Sequence, residues 1–438
     1  MKFAIYTLGC KVNQYETQAM ETELRRRGHE LVSFEGTADA YIVNTCAVTA
    51  MSGHKSRQII RRAQKQNPEA IVAVCGCYAQ TDPKAVAELG VDLISGPDRR
   101  MEFLDEVEAL LAERTAQPKV TVGNIMSTRT FEELPAGGLS GRTRAMLKVE
   151  DGCVNFCSYC IIPYARGPVR SLPLEKAVAE ARTLADKGYK EIVVTGIEIS
   201  SWGQERRDGQ TLTDLVEALC AAAPACRIRL GSLEPRTVTE DFCRRLSGLH
   251  NLCPHFHLSM QSGCDETLKR MNRKYDTARY YESVSLLRQW FDRPGITTDL
   301  IVGFPGETEE EFGATLDFIR KCAFTAMHIF PYSRRPGTPA DTMSGQVPKA
   351  VKEERVRRAA GVAAELEQRY LQSLVGRTLP VLFEEPAKTK ELSPCLWRGH
   401  APNYAEVQAA SSDDLHNIEV PVRITGVDGT SLTGELID

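Results

Sequence analysis

Cys153, Cys157 and Cys160 form a C-x3-C-x2-C run, the sharpest chemical feature of the chain. Three closely spaced thiolates can hold three irons of a [4Fe–4S] cluster and leave the fourth without a protein ligand. That open iron can bind a substrate or cofactor, which a four-cysteine electron carrier cannot do. A zinc site usually takes four ligands, commonly in paired C-x2-C form, and no suitably spaced second pair follows. A second set is dispersed. Cys10, Cys46 and Cys77 each stand just after a short apolar run, beside Gly9, Asn44-Thr45 and Gly76. The carboxyl ends of parallel strands share one sheet edge, so three such residues can converge. Cys75 competes with Cys77, but Cys75 continues the apolar run 71–74 whereas Cys77 lies beyond Gly76. Of the fourteen cysteines, the eight outside these triads show no ligand spacing and fit buried thiols.

Positioning these residues requires α/β architecture. Apolar runs at 3–8, 41–43, 71–74 and 91–94 alternate with helical patterns at 16–27, 52–66 and 83–89, and a helix at 101–113 closes the unit. The alternation predicts βαβ units on a parallel sheet over residues 1–115. Residues 116–143 have the Gly, Pro, Ser and Thr content of a linker, with one strand at 119–122. Over 144–346 six apolar runs (145–149, 191–195, 227–230, 256–259, 297–302 and 326–330) alternate with helical patterns. This predicts a partial (βα)6 barrel, since a full eight-stranded one takes about 250 residues. A connecting helix is expected within 347–376. Short alternating runs then predict a small antiparallel β-barrel over 377–438.

The bulk numbers narrow the class. With 42% apolar and 26% charged residues the 438-residue chain is neither disordered nor a disulfide scaffold. No run approaches the ~18–20 apolar residues of a membrane span, and residues 1–8 lack the pattern of a signal peptide. A cytoplasmic location is expected. The formal net charge of −4 does not announce a nucleic-acid partner, so any basic surface must be local.

The Cys153–Cys160 loop resembles the radical S-adenosylmethionine (SAM) superfamily. That resemblance places Tyr159 near the SAM adenine and Gly196, in Val194-Thr195-Gly196-Ile197-Glu198, near the SAM amino group. Glu198, Glu234, Gln261 and Arg273, on later strands or loops, are candidates to line the same pocket. Arg166 and Arg170 could meet a phosphate or the SAM carboxylate. Together with the dispersed triad and the C-terminal barrel, the chain resembles the methylthiotransferases over nearly its whole length. The run 8–16, Leu-Gly-Cys-Lys-Val-Asn-Gln-Tyr-Glu, is similar to the opening of the branch acting on N6-threonylcarbamoyladenosine in tRNA. The segments 44–49, 76–80, 160–167 and 299–308 support the same branch. The resemblance implies two [4Fe–4S] clusters, one on Cys153, Cys157 and Cys160 and an auxiliary one on Cys10, Cys46 and Cys77. The first reduces SAM to an adenosyl radical that takes the hydrogen from C2 of the adenine. The second presents a sulfur that a further SAM methylates before transfer to C2. A tRNA anticodon stem-loop, a flavodoxin- or ferredoxin-like electron donor and a sulfur donor are the partners implied. No acid–base catalyst is called for.

The C-terminal segment resembles the TRAM RNA-binding module, yet residues 377–438 carry ten acidic and five basic residues, a poor phosphate binder on charge alone. A better candidate is 53–66, which holds no acid and places Arg57, Arg61 and Lys65 on one helical face. The helix within 349–369 mixes six basic with four acidic residues and fits a solvated face. Two alternatives remain at this level: methylthiolation of a ribosomal protein, and a non-catalytic iron–sulfur carrier or redox sensor.

Overall fold

A computed structural model describes residues 1–135, 143–387 and 394–437. Residues 136–142 of the expected linker, and 388–393 and 438 of the expected C-terminal barrel, lie outside the described residues. The N-terminal unit is an all-parallel sheet of strands β1 (Lys2–Thr7), β2 (Glu30–Leu31), β3 (Ala40–Thr45), β4 (Ile71–Gly76), β5 (Leu93–Ile94) and β6 (Lys119–Val120). Their order is β2-β1-β3-β4-β5-β6. The central strands are buried on both faces, which explains their unbroken apolar runs. One face packs around Tyr41, Val43 and Val74, the other around Ile42, Ala73 and Phe103.

The central unit carries β7 (Arg144–Lys148), a short antiparallel pair β8 (Glu150–Asp151) and β9 (Arg170–Ser171), then β10 (Glu191–Thr195) and β11 (Arg227–Leu230). These are followed by β12 (Ser232–Leu233), β13 (His255–Leu258), β14 (Gly295–Val302) and β15 (Ala326–Pro331). Two parallel sheets, β11-β10-β7 and β12-β13-β14-β15, meet at Gly231, where a Cβ would lie 2.9 Å from the Val194 carbonyl oxygen. A bridge from Ile228 to Leu252 continues the curve, so the six expected strand positions form one open barrel. Ala145, Leu147, Ile192 and Ile228 face the surrounding helices in the largest core, which leaves the alternate residues for the lumen.

The last unit is a closed barrel of β16 (Thr378–Pro386), β17 (Cys395–His400), β18 (Glu406–Ser411), β19 (Glu419–Asp428) and β20 (Ser431–Leu436). It corrects the expected all-antiparallel barrel at one place: β18 and β20 pair in parallel and close the ring. Strand β17 also adds a fifth strand to the four apolar runs visible in the sequence. The helix Lys349–Gln372 leads into this barrel after packing on β15.

Candidate active site

Two groups of cysteines stand beyond the carboxyl ends of strands in the first two units. Cys10 caps the helix Lys11–Arg26 after β1, Cys46 follows β3, and Cys77 opens the helix Cys77–Thr81 after β4. Tight glycine turns bring them together. Gly9 has φ +121°, and a Cβ there would stand 3.1 Å from the Cys46 Cβ; one at Gly76, φ +97°, would stand 2.6 Å from Asn44 Oδ1. Burial pushes all three thiols up, and each lies close enough to another of the three to add to that rise. Cys75 points the other way, into the core with Phe3 and Phe103, where burial pushes its thiol up to about 12.

Cys153, Cys157 and Cys160 occupy the loop between β8 and the helix Ile162–Arg166. Gly152 makes the loop possible, since a Cβ there would fall 2.1 Å from the Pro168 carbonyl oxygen. Burial pushes the Cys160 thiol up to about 12. Ile161, next to Cys160, packs in one apolar cluster with Cys77 and Tyr78, so the two triads are held across a common wall.

The residues present fit two clusters. All the cysteines are free thiols, and each triad has a guanidinium on a sulfur: Arg273 Nη1 donates to Cys157 Sγ at 3.2 Å, Arg166 Nε to Cys77 Sγ at 3.2 Å. The Val48 N–H donates to Cys46 Sγ at 3.4 Å. Such bonds stabilise an anionic cluster and tune its potential. Among the described residues no three His, Cys, Asp or Glu side chains gather on one point as ligands of a single ion do. Cluster thiolates each meet a different iron and stand further apart.

Arg166 corrects the expectation that it and Arg170 meet a phosphate or the SAM carboxylate. Both are buried. Arg166 binds Glu16, Asp151 Oδ2 at 3.3 Å and Asn13 Oδ1 at 2.8 Å; Arg170 donates to the Arg166 and Pro168 carbonyls. Glu16 is the hub: its fully buried carboxylate also takes Arg100 Nη2 at 2.6 Å and Lys148 Nζ at 3.1 Å. Burial alone would push the Glu16 carboxyl up, but Arg100, Arg166 and Lys148 outweigh it and hold it well below the usual range. Glu16 and Arg100 belong to the first unit, Lys148 and Arg166 to the second.

The remaining candidates separate into groups. Tyr159 packs edge-on against Phe304, with Met271 and Tyr332 in the same cluster. Arg273 stacks over Tyr275 and donates to the Ser259 carbonyl. Gln261, at φ +66°, bridges to β14 through its backbone while its side chain bonds to none of the described residues. Glu198 accepts from Ser200 N–H and Ser201 Oγ, and burial pushes its carboxyl up; it adds to the rise of the Cys153 thiol. Glu234 is engaged by Arg236 at 2.9 Å. A Cβ on Gly196 would lie 2.7 Å from Glu150 Oε2. Glu150 itself escaped the sequence reading. It is buried beside the cysteine loop, its Oε1 finds no partner among the described residues, and burial pushes its carboxyl far up. An acid immediately before Asp151-Gly152-Cys153 was its only signal. Arg335, after β15, was missed too: its charge reaches Cys46, and its buried Nε is without a partner among the described residues.

On the helix Ala50–Gln66, Arg61 and Lys65 are exposed, whereas Arg57 is half-buried and donates to the Tyr78 hydroxyl at 3.2 Å, beside Cys77.

Residues 147–319 match the Radical SAM superfamily and residues 2–96 the uncharacterized protein family UPF0004. The chain is 40% identical to the threonylcarbamoyladenosine tRNA methylthiotransferase MtaB of Bacillus subtilis, over 96% of this chain and 93% of that protein. It belongs to the radical SAM methylthiotransferase family. A tRNA-2-methylthio-N(6)-dimethylallyladenosine synthase of Moorella thermoacetica is 34% identical over 100% of this chain and 98% of its own. The radical SAM methyltransferase TsrM of Kitasatospora setae, solved with cobalamin and a [4Fe–4S] cluster, shares the fold: TM-score 0.57, 18% identity, 78% of this chain and 77% of that one. Methylthiotransferases are enzymes that use SAM and carry two [4Fe–4S] clusters, which sets aside the non-catalytic reading. No helix among the described residues is long and apolar enough to cross a membrane.

Proposed function

We propose that this protein methylthiolates C2 of N6-threonylcarbamoyladenosine in the anticodon loop of tRNA, in the cytoplasm. The observation that supports this most is the pair of triads set across one wall and tied by Glu16 and Arg166. Cys153, Cys157 and Cys160 would hold the cluster that meets SAM, and Cys10, Cys46 and Cys77 the auxiliary one. When bound, the clusters and SAM supply the one-electron chemistry and the sulfur that an aromatic C–H bond demands. The chain's own part is positional. Arg273 and Arg166 fix one sulfur ligand each, Tyr159 presents an aromatic edge, and Glu198, Gln261, Glu234 and Gly196 shape the SAM side. The orphan Glu150 Oε1 suits an ammonium donor. Arg61 and Lys65, with Arg57 anchored at Tyr78, offer the anticodon stem a basic face. An electron donor of flavodoxin or ferredoxin type and a sulfur donor complete the cycle.

The names of the curated relatives favour threonylcarbamoyladenosine, while those at 32–34% identity point to dimethylallyladenosine as a second reading. Nucleoside mass spectrometry of tRNA from a deletion strain and its complemented pair decides between them. Loss and recovery of the 2-methylthio form of N6-threonylcarbamoyladenosine is the expected result. An unchanged level would refute the assignment.

A further inference from the structure

Beneath the cysteines lies the lumen of the open barrel, and its far end is stoppered by the C-terminal barrel. Tyr404 forms the floor, stacked between His255 and His400 at 4.7 and 4.9 Å with the Arg229 guanidinium 4.8 Å from its ring. A cleft of about 310 Å³ opens there, lined by Lys11, Met146, Val193, Arg229 and Tyr404 among others.

The acids at the cleft, Glu191, Glu384 and Glu385, are all bonded to arginines. Arg229 clasps Glu191 through bonds of 2.7 and 2.9 Å and donates to the Pro402 carbonyl at 2.8 Å. Arg144 is taken by Glu384 at 2.7 Å. Lys11 lies close to Arg144, Arg229 and Glu191, yet among the described residues it has neither a hydrogen bond nor an ion pair. It is exposed and lines the cleft. Lys11 is thus the one ammonium or guanidinium lining the cleft without an acid bonded to it among the described residues, and it is free to take an anion.

Lys11 also follows Cys10 directly. In a purine, C2 and C6 flank N1, so a substituent on N6 stays within a ring's width of C2. A base that turns C2 toward the Cys10 triad therefore carries its N6 side chain past the next residue. The threonylcarbamoyl group ends in a carboxylate and a hydroxyl; a dimethylallyl group is apolar.

We propose that Lys11 is a specificity-determining residue that receives the carboxylate of the N6 substituent in the cleft floored by Tyr404. This rests on the substrate reading above. Charge-assisted hydrogen bonds of this kind correspond to about 10- to 100-fold in affinity.

The test uses full-length, cluster-reconstituted protein under anaerobic conditions and reads binding of anticodon stem-loops by fluorescence anisotropy. The stem-loops carry N6-threonylcarbamoyladenosine, its carboxyl methyl ester, or plain adenosine. The wild type is expected to prefer the free acid to the ester about 10- to 100-fold. Lys11→Gln should lose that preference and Lys11→Arg should keep much of it, with iron content measured for each. A Lys11→Gln protein that still separates acid from ester overturns the proposal. So does one whose only defect is weaker SAM binding. If the variant loses iron, the acid–ester comparison on wild-type protein decides, because equal binding of the two there refutes a role for the carboxylate. A wild type that favours the modified stem-loop over plain adenosine but ignores esterification sinks this inference alone. One that shows no preference over plain adenosine sinks the substrate reading as well.

Discussion

Replacing Glu16 by Gln should cost more than replacing any of the cations around it. The carboxylate is fully buried and serves Arg100, Lys148 and Arg166 at once. Gln keeps the shape and one acceptor oxygen but removes the charge. Lys148, Arg166 and Arg170 then share Asp151 as their one remaining ion-pair partner among the described residues, and Arg100 is left with none. Removing one side of a buried pair typically costs about 3–5 kcal/mol. At about 2–4 °C per kcal/mol for a cooperative unit of this size, the thermal midpoint falls by roughly 6–20 °C. Arg166→Met is the contrast. It leaves Glu16 with Arg100 and Lys148, so the charge balance survives and the loss of stability is smaller. It also strips the donor from Cys77 Sγ, so bound iron should fall further than in Glu16→Gln at equal folding. Differential scanning fluorimetry and iron analysis on anaerobically purified protein read both effects. The sign with pH is also set. The Glu16 carboxyl is held below its ordinary value in the folded state, so its contribution is full above the usual carboxylate range. That contribution is lost as the solution is acidified through the depressed value. A Glu16→Gln midpoint within about 2 °C of wild type, or above that of Arg166→Met, would refute the hub role.

Replacing Cys10, Cys46 and Cys77 together by Ala should halve bound iron and spare SAM cleavage, read as 5′-deoxyadenosine yield. The same change at Cys153, Cys157 and Cys160 should abolish cleavage. Glu180 accepts from the Tyr15 hydroxyl at 3.0 Å, and burial pushes its carboxyl up to about 7 from 4.5. The folded state thus holds a proton that the unfolded state has released, and stability falls as pH rises across that window. Glu180→Gln should flatten the fall in a urea-midpoint series and leave the variant the more stable above pH 7; an unchanged slope refutes the shift. Arg61→Glu with Lys65→Glu should weaken tRNA binding and reduce the slope of log affinity against log salt by about one per lost phosphate contact. An unchanged slope would place the RNA elsewhere.

Much of this architecture was legible because its signals are local. Apolar runs such as Tyr41–Val43 and Ile71–Val74 announced buried parallel strands, and glycine turns beside Cys10 and Cys77 marked the sheet edge. Strand β2, two residues long, carries too little pattern to be seen, whereas the runs 91–94 and 119–122 announced the equally short β5 and β6. Strand β17, Cys-Leu-Trp-Arg-Gly-His, alternates weakly because its glycine sits where a Cβ would strike the Leu382 carbonyl oxygen. The site was harder where its logic spans the chain. Arg166 looks like a free cation after a cysteine loop, and only folding sets it against Glu16, 150 positions earlier. Residues 131–134 read as linker, yet Phe131 sits under Lys148, Glu132 accepts from the Arg100 N–H, and Leu134 packs on Tyr15. A segment with linker composition thus packs on residues of both units.

The acidity of the C-terminal barrel now has a physical explanation that its composition hid. Glu384 takes Arg144 at 2.5 Å and Glu419 takes Arg227 at 3.0 Å, both arginines standing at the near ends of β7 and β11. Arg377 joins Asp292 in the reverse sense. Two of the module's acids are therefore spent on holding it against the lumen, where its Tyr404 completes the floor. A negative count on this module consequently says less about repelling phosphate than it first suggests. It does not make the module a phosphate binder either, because Arg398 and Arg377, two of its five basic residues, are already paired with Glu385 and Asp292. Basic charge free of acids stands instead on the helix Ala50–Gln66, where Arg57 bonds Tyr78 and Arg61 and Lys65 stand in solvent. A stem-loop held there would lie beside Cys77, the residue before Tyr78.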